Sequence, residues 1–365
     1  MDLLIPARFC ISLRFANRIR SKEMSLMVWF RKFSLLTATF LGFALSASAV
    51  SVHAQSLDEL HKQAVKEGGT MNFYGTLAQI NAKKILPIFE KRFPGIKVNH
   101  IDATSDKLVA RAVSEARGGR TIGDVFQTPL ENVLQMGDQG LLLQTTLPES
   151  AEYPAELKGS FWVASDVQYF IAAWNTNLVK KEEDPKSFDD LGDPRWKNRL
   201  IAEPRDVEML IGFSKHKFKS EEKAIALLRR IAANNVEFHD GHSQLAELLV
   251  AGQAAVCFTC YSHHFPSRIK KGAPLNYLLT EGVASLVSTG IFKNAPHPHS
   301  AMLFARWVIS PEGQKAYAAG GRTPANPKIE PVEKTRSERT YFISAAETKE
   351  FPKYEKTWKE IFKLR

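Results

Sequence analysis

Apolar residues from position 56 onward follow two alternating periods, one of three to four residues and one of two. The longer period is typical of amphipathic helices and the shorter one of half-buried strands. Short strands, such as residues 70–74, alternate with helical segments, such as residues 80–93. Because strands separated by helices tend to pair in parallel, the pattern predicts an α/β fold with a largely parallel sheet.

The same periods predict where the individual elements lie. Strands are predicted at residues 70–74, 96–100, 124–127, 170–174, 200–202 and 254–261. Helices are predicted after Ser56, at residues 80–93, 106–117, 207–213, 221–233 and 243–250, and from Pro298 and Pro311. We expect Ser56, Ser243 and Ser310 to cap helix N-termini, since a serine hydroxyl can accept a hydrogen bond from a first-turn amide.

A different pattern occupies the N-terminus. An apolar run at residues 33–50 follows Arg31 and Lys32 and ends in small residues. This is typical of a secretory signal, and we expect cleavage after Ala54, with Ala49 as the second choice. A membrane anchor is the alternative interpretation, because the run reaches the lower limit of a spanning helix.

The segment before this run, residues 1–23, is rich in arginine and does not fit a secretory signal. We expect Met24 or Met27 as alternative starts to Met1. The chain of 365 residues carries 49 basic and 39 acidic side chains, a formal charge of +10. Seven of these basic and two of these acidic residues precede residue 55, so the mature chain of 311 residues has a net charge of +5. This modest charge gives no reason to expect a nucleic-acid partner.

Motifs of common enzymes are missing from the sequence. It contains no phosphate-binding glycine loop, no G-x-S-x-G elbow and no H-E-x-x-H motif. We therefore expect a protein that is not an enzyme, with an exported thiol- or metal-dependent enzyme as the alternative.

The three cysteines are too few for a disulfide-stapled scaffold. Cys257 and Cys260 form a C-x-x-C motif, which is compatible with a redox or metal site. Both lie in the predicted strand 254–261, where three strand steps separate two Cα atoms by about 10 Å and place the side chains on opposite faces. We therefore interpret them as two separate buried thiols.

Candidate binding residues follow the predicted strands. Tyr261 and His263 share one strand face with Thr259 if the strand continues, and His264 is the alternative to His263 as a binding residue. The ends of strands are where open α/β sheets present groups that contact ligands. By the same argument we include six further residues, which follow other strands or begin a helix: Tyr74, Thr76, Glu203, Arg205, His242 and Ser243.

Several longer stretches resemble a known family. They are FEKRFPGIKV at 89–98, GDV at 123–125, WNTNLV at 174–179, DLGDPRWK at 190–197, GAP at 272–274, APHP at 295–298 and ISPEGQ at 309–314. In this order and spacing the chain resembles the periplasmic solute-binding proteins of ABC importers, and within them the branch of ferric-iron-binding proteins. The matching stretches cover most of residues 56–330.

The resemblance implies the two-lobed periplasmic-binding-protein fold of type II, an α/β fold in which crossing strands join the lobes around a ligand cleft. The expected division is a leader at 1–54, a first lobe at 55–165 and 271–330, a second lobe at 166–270 and a helical tail at 331–365. The implied protein is periplasmic and monomeric, closes around a solute, and delivers it to a membrane permease. No cofactor is implied, apart from Fe³⁺ as a transported ligand.

The resemblance favours ferric iron as the transported ligand over an organic solute. Iron-binding members present two adjacent tyrosines after the strand that matches 256–261, and phenolate and carboxylate oxygens suit ferric iron. Here Tyr261 stands at that place, but Cys260 and Ser262 flank it, so the pair is broken. If ferric iron is the ligand, the expected metal ligands are Tyr261, His263 and Glu203. The alternative is a small polar or anionic organic solute.

Overall fold

The computed structural model describes residues 55–365, so the predicted signal sequence and the segment before it lie outside the described residues. The strands are β1 Thr70–Gly75, β2 Lys97–Asp102, β3 Val125–Pro129, β4 Val163–Asn175, β5 Leu200–Ala202, β6 Glu237–Phe238, β7 Val256–Tyr261, β8 Leu275–Tyr277, β9 Glu281–Ile291, β10 Thr323–Pro324 and β11 Arg339–Phe342. The helices are α1 Leu57–Lys66, α2 Gln79–Arg92, α3 Ser105–Arg117, α4 Leu130–Asp138, α5 Glu208–Gly212, α6 Glu221–Ala232, α7 His242–Val250, α8 Pro266–Lys270, α9 Pro298–Ile309, α10 Pro311–Ala319, α11 Ala345–Thr348 and α12 Phe351–Phe362.

The strands form one mixed sheet in the order β2-β1-β3-β9-β4-β7-β5-β6. Pairs within each half, such as β1 with β2 and β5 with β7, are parallel. The two long strands β4 and β9 run antiparallel to each other in the middle of the sheet. They pass from one half to the other, so the sheet is continuous through the whole described part of the chain.

The hydrophobic side chains form separate cores on the two halves of these crossing strands. On β4, Ala164 belongs to the first core and Phe170 to the second, and on β9 the change falls between Leu286 and Val283. A smaller third core packs on the other face of the second half. Two lobes joined by crossing strands are what the family resemblance implied, and this fold class is confirmed, although the sheet is mixed rather than largely parallel.

Most predicted elements are present within one or two residues of their predicted bounds. The Ser56 and Ser310 hydroxyls accept hydrogen bonds from the amides of Glu59 and Gly313, at 3.1 and 3.2 Å. The predicted cap at Ser243 is wrong. Helix α7 begins one residue earlier, after Gly241, whose φ of +89° suits a residue without a side chain.

The C-terminal segment differs from the predicted outer helical tail. Strand β11 pairs in parallel with β9, and α12 buries Tyr354 and Trp358 in the second core. The indole of Trp358 also donates a 2.8 Å hydrogen bond to the carbonyl of Pro204. This segment is therefore a structural part of the second lobe and supports the loop that follows β5.

The prediction of two separate thiols is wrong, because Cys257 and Cys260 form a disulfide with Cα atoms 5.8 Å apart. On the paired strand β4, Ile171 lies opposite Cys260 and Ala173 lies opposite Cys257. Three steps on β7 thus face two steps on β4, which is a β-bulge. The extra residue shortens the distance between the cysteines and cancels the alternation on which the prediction depended.

Among residues 55–365, the helices are too short or too polar for any of them to cross a membrane.

Candidate functional site

A cavity of about 320 Å³ lies where the two halves of the sheet meet. Its walls come from both lobes, with Thr76 and Glu131 from the first and Arg205, His242 and Tyr261 from the second. Its volume lies in the range of small-molecule sites. Seven of the eight predicted binding residues line it: Thr76, Glu203, Arg205, His242, Ser243, Tyr261 and His263.

The topology explains why these residues meet. Thr76 follows β1, Glu203 follows β5, and Tyr261 ends β7. Because the parallel strands of each lobe end on the cavity side, the residues that come after them converge there. The amide of Glu203 donates a 3.1 Å hydrogen bond to the hydroxyl of Thr259, which fixes the end of β5 against β7.

Tyr74 is not brought to this cavity. Its side chain is fully buried in the first lobe, and its hydroxyl donates a 2.7 Å hydrogen bond to Glu115. Burial and the neighbouring Glu115 carboxylate raise the pKa of this phenol well above its usual range. A phenol that is held in this way packs the lobe rather than contacts a ligand.

Arg205 is held by carboxylates from both lobes. Its Nε donates to Glu203 at 2.7 Å, and its backbone amide donates to the same carboxylate at 2.6 Å. Its guanidinium also pairs with Asp106, at the start of α3 in the first lobe. The positive charge of Arg205 is therefore neutralised, and its side chain links the lobes beside the cavity.

A second arginine of the cavity, Arg322, is paired with a carboxylate and a histidine. It comes just before β10 and is buried, and its Nε donates a 2.7 Å hydrogen bond to the buried Asp166 on β4. Its Nη1 donates to the ring of His263 in the second lobe. Burial and the nearby Arg322 lower the pKa of His263 well below its usual range, so the ring is a neutral acceptor.

Tyr261 and His242 stack face to face on the wall of the second lobe. Their ring centroids are 3.5 Å apart, and Phe170 packs edge-on against Tyr261. The Nε2 of His242 lies 3.1 Å from Asp206. Burial lowers the pKa of His242 to about 4, so this ring is neutral near pH 7.

Four further carboxyl groups line the same space: Asp102 at the end of β2, Glu131 after β3, and Asp206 and Glu208 after β5. Burial raises the pKa of Glu131 to about 7, and it raises those of Asp206 and Glu208 well above their usual range. Neighbouring carboxylates add to each of these shifts. The cavity thus contains more carboxyl groups than positively charged side chains, and burial favours their neutral forms.

The expected metal ligands Tyr261, His263 and Glu203 all line the cavity, but two of them are already engaged. Arg205 holds the Glu203 carboxylate, and Arg322 donates to the His263 ring. Burial raises the pKa of the Tyr261 phenol well above its usual range, and the surrounding carboxylates add to this. Among residues 55–365, no group of three or more His, Cys, Asp or Glu side chains is placed to hold a metal ion.

Among the cavity residues that sequence analysis missed are Asp102, Glu131, Gln168, Asp206, Glu208 and Arg322. The signal for Glu131, Asp206 and Glu208 is their position shortly after a strand, which is the same signal that identified Glu203. Gln168 lies in the middle of a crossing strand and Arg322 just before a two-residue strand. No local pattern marks these last two, since only the crossing of β4 brings them to the cavity.

Comparison with known proteins places the chain in a family. Residues 84–341 match the family model described as bacterial extracellular solute-binding protein. The Fe(3+)-binding periplasmic protein of Serratia marcescens is 24% identical over 261 residues, which cover 65% of this chain and 75% of that protein.

Two solved structures have similar folds. Iron-bound HitA from Pseudomonas aeruginosa is 18% identical with a TM-score of 0.67, and the match covers 80% of this chain and 99% of HitA. The periplasmic binding protein AfuA from Actinobacillus pleuropneumoniae, with exogenous fructose-6-phosphate bound, is 22% identical with a TM-score of 0.68, over 81% of this chain and 99% of AfuA. With its family model matched over more than half of the chain, this protein belongs to the bacterial extracellular solute-binding proteins.

Proposed function

We propose that this protein is the periplasmic solute-binding component of an ABC importer. The observation that carries the proposal is the cavity between the lobes, which is lined from both sides by residues that follow strands. A ligand that contacts both lobes stabilises the closed arrangement over the open one. The closed protein then docks on a membrane permease and releases the solute there.

The proposal also specifies the compartment in which the protein acts and a role in binding rather than catalysis. The predicted signal sequence directs the chain to the periplasm, and a disulfide between Cys257 and Cys260 suits that oxidising compartment. We infer that the protein acts as a monomer, binds no nucleic acid and catalyses no reaction. The family membership supports a binding role over an enzymatic one.

For the solute, we favour a small polar organic molecule. A cavity of about 320 Å³ has room for a molecule rather than a single ion. The arginines on Glu203 and His263 occupy oxygen and nitrogen atoms that an iron ion would need.

Ferric iron is the second candidate. It is supported by the names of relatives such as the Fe(3+)-binding periplasmic protein of Serratia marcescens. It is also supported by the presence of Tyr261 and several carboxylates in the cavity, since hard oxygen ligands suit a hard cation.

The proposed function is tested by asking whether the native solute closes the protein, and small-angle X-ray scattering measures this closure. Protein purified from its own periplasm is unfolded, separated from the small molecules that it releases, and refolded. Adding the released fraction back is expected to reduce the radius of gyration, and mass spectrometry is expected to recover the solute unchanged. An unchanged radius contradicts the binding role, and a chemically altered solute indicates an enzyme.

A further inference from the structure

The cavity holds more carboxyl groups than its arginines pair with. Arg205 is paired with Glu203 and Asp106, and Arg322 is paired with Asp166. The other carboxyl groups that line the cavity are Asp102, Glu131, Asp206 and Glu208, and no arginine or lysine among residues 55–365 forms a salt bridge with any of them. Asp206 contacts the ring of His242, which is neutral near pH 7. Ionising such groups within a cavity is costly unless a ligand compensates the charge.

One side chain in the cavity wall lacks the hydrogen bond that a buried polar group normally makes. Gln168 is 3% exposed, and its Oε1 has no hydrogen-bond partner among the described residues. Since more than nine-tenths of buried polar groups have a partner, this oxygen is available to a donor from outside the chain. Glu208, which lines the same cavity, is 6% exposed.

The carboxylates stand on opposite lobes. Glu131 lies in the first turn of α4 in the first lobe, whereas Glu208 begins α5 in the second. A positively charged group between them attracts both, so its binding favours closure. The same carboxylates repel an anion. The two arginines cannot offset this repulsion, because they are already paired with carboxylates.

We propose that the solute carries a cationic nitrogen, such as an ammonium or guanidinium group, which is held between the carboxylates of Glu131, Asp206 and Glu208 with the Gln168 carbonyl as a further acceptor. This inference rests on the proposed function and specifies the chemistry of its ligand. The elevated pKa values of the three carboxylates agree with it, because a bound cation relieves their mutual repulsion.

The test uses probes that share a skeleton and differ in charge. Refolded, ligand-free mature protein is titrated with arginine against citrulline, with glucosamine against glucose and glucose 6-phosphate, and with ferric citrate. Thermal shift and calorimetry report binding. In at least one series, we expect the cationic member to bind more tightly than its uncharged counterpart.

Two isosteric variants, Glu208→Gln and Glu131→Gln, remove one carboxylate from each lobe, so the test does not depend on the folding of a single variant. Each is expected to weaken binding of the cationic probe by about tenfold or more, the loss typical of a charged hydrogen bond. Glu156→Gln is the matched control, because this exposed glutamate makes the same change in net charge away from the cavity.

The inference is overturned if, in both series, the cationic probe binds no more tightly than its uncharged counterpart. It is also overturned if both variants keep the wild-type preference for the cationic probe. Tighter binding of ferric citrate than of every organic probe also overturns it. The scattering experiment uses the small molecules released from the native protein, so its outcome does not depend on which of these probes bind. The proposed function can therefore survive the failure of the cationic ligand, and the two failures are distinguishable.

Discussion

Arg205 of the second lobe and Asp106 of the first form an ion pair beside the cavity. The Asp106 side chain is 59% exposed, so water screens the pair and its contribution is modest, about 0.2–1 kcal/mol. A link of this strength suits a protein that must open again to release its solute.

Asp106→Asn is therefore expected to weaken solute binding by no more than about fivefold, because it removes only this contribution to the closed state. Calorimetry measures the affinity, and scattering measures how far the unliganded protein opens. Asp58→Asn is the control, since Asp58 forms an exposed pair with Arg92 within the first lobe. An equal loss of affinity in both variants would mean that the pair between the lobes has no role in closure.

Tyr261 distinguishes the two ligand classes. For an organic solute, Tyr261→Phe keeps the stacking on His242 and removes only one hydroxyl, so affinity should fall by about tenfold at most. For ferric iron, the same change removes a metal ligand. We expect that the wild-type protein develops no phenolate-to-iron absorption band when ferric citrate is added. A band that appears in the wild type and is lost in Tyr261→Phe contradicts the organic ligand.

The disulfide should make only a small contribution to the free energy of unfolding, because the loop that it closes is short. Closing four residues contributes about 2 kcal/mol in the chain-entropy estimate. The double variant Cys257→Ala with Cys260→Ala is therefore expected to lose about this much free energy of unfolding, measured in urea. Its solute affinity should also fall, because the bulge at the cysteines places Tyr261.

Dithiothreitol provides the control for the disulfide. It should destabilise the wild-type protein and leave the double variant unchanged. If the wild-type protein unfolds at the same urea concentration with and without the reductant, under conditions in which its thiols are shown to be free, the disulfide does not stabilise the fold.

Binding of a cationic solute should strengthen as pH rises from 6 to 8. In the free protein, burial raises the pKa of Glu131 to about 7, so part of this group is protonated at the lower end of the range. A bound cation favours the ionised carboxylate, and binding therefore releases protons and is favoured at higher pH. The other charged or titratable groups that line the cavity are Asp102, Glu203, Arg205, Asp206, Glu208, His242, Tyr261, His263, His264 and Arg322.

Among these groups, the three histidines do not oppose the trend. The pKa of His242 is lowered to about 4, and those of His263 and His264 are lowered well below their usual range by burial. Calorimetry in buffers of different ionisation enthalpy measures the protons released. Glu131→Gln should flatten the pH dependence, and an affinity that falls between pH 6 and 8 would contradict the assignment.

The sequence predicted those parts of the fold and cavity that depend on local patterns. Thr76, Glu203 and Tyr261 each follow or end a strand whose apolar pattern is clear, so their convergence could be anticipated. Strand β9 was missed, because it is buried along its whole length and includes polar residues such as Ser285 and Ser288, so that no alternation remains.

The remaining features depend on contacts between distant parts of the chain. The bulge on β7 exists because of its register with β4, and the strand sequence alone gave no reason to expect an extra residue there. Arg322 reaches the cavity through its pair with Asp166, 156 positions earlier. Spacing within one segment cannot reveal such a partner.

Native mass spectrometry of the protein purified from its own periplasm tests the central claim most directly. We expect one small organic molecule bound per chain, released on unfolding, and bearing a cationic nitrogen when its fragments are analysed. A complex that carries a single iron ion, or a bound solute without a positive charge, would contradict this account of the cavity.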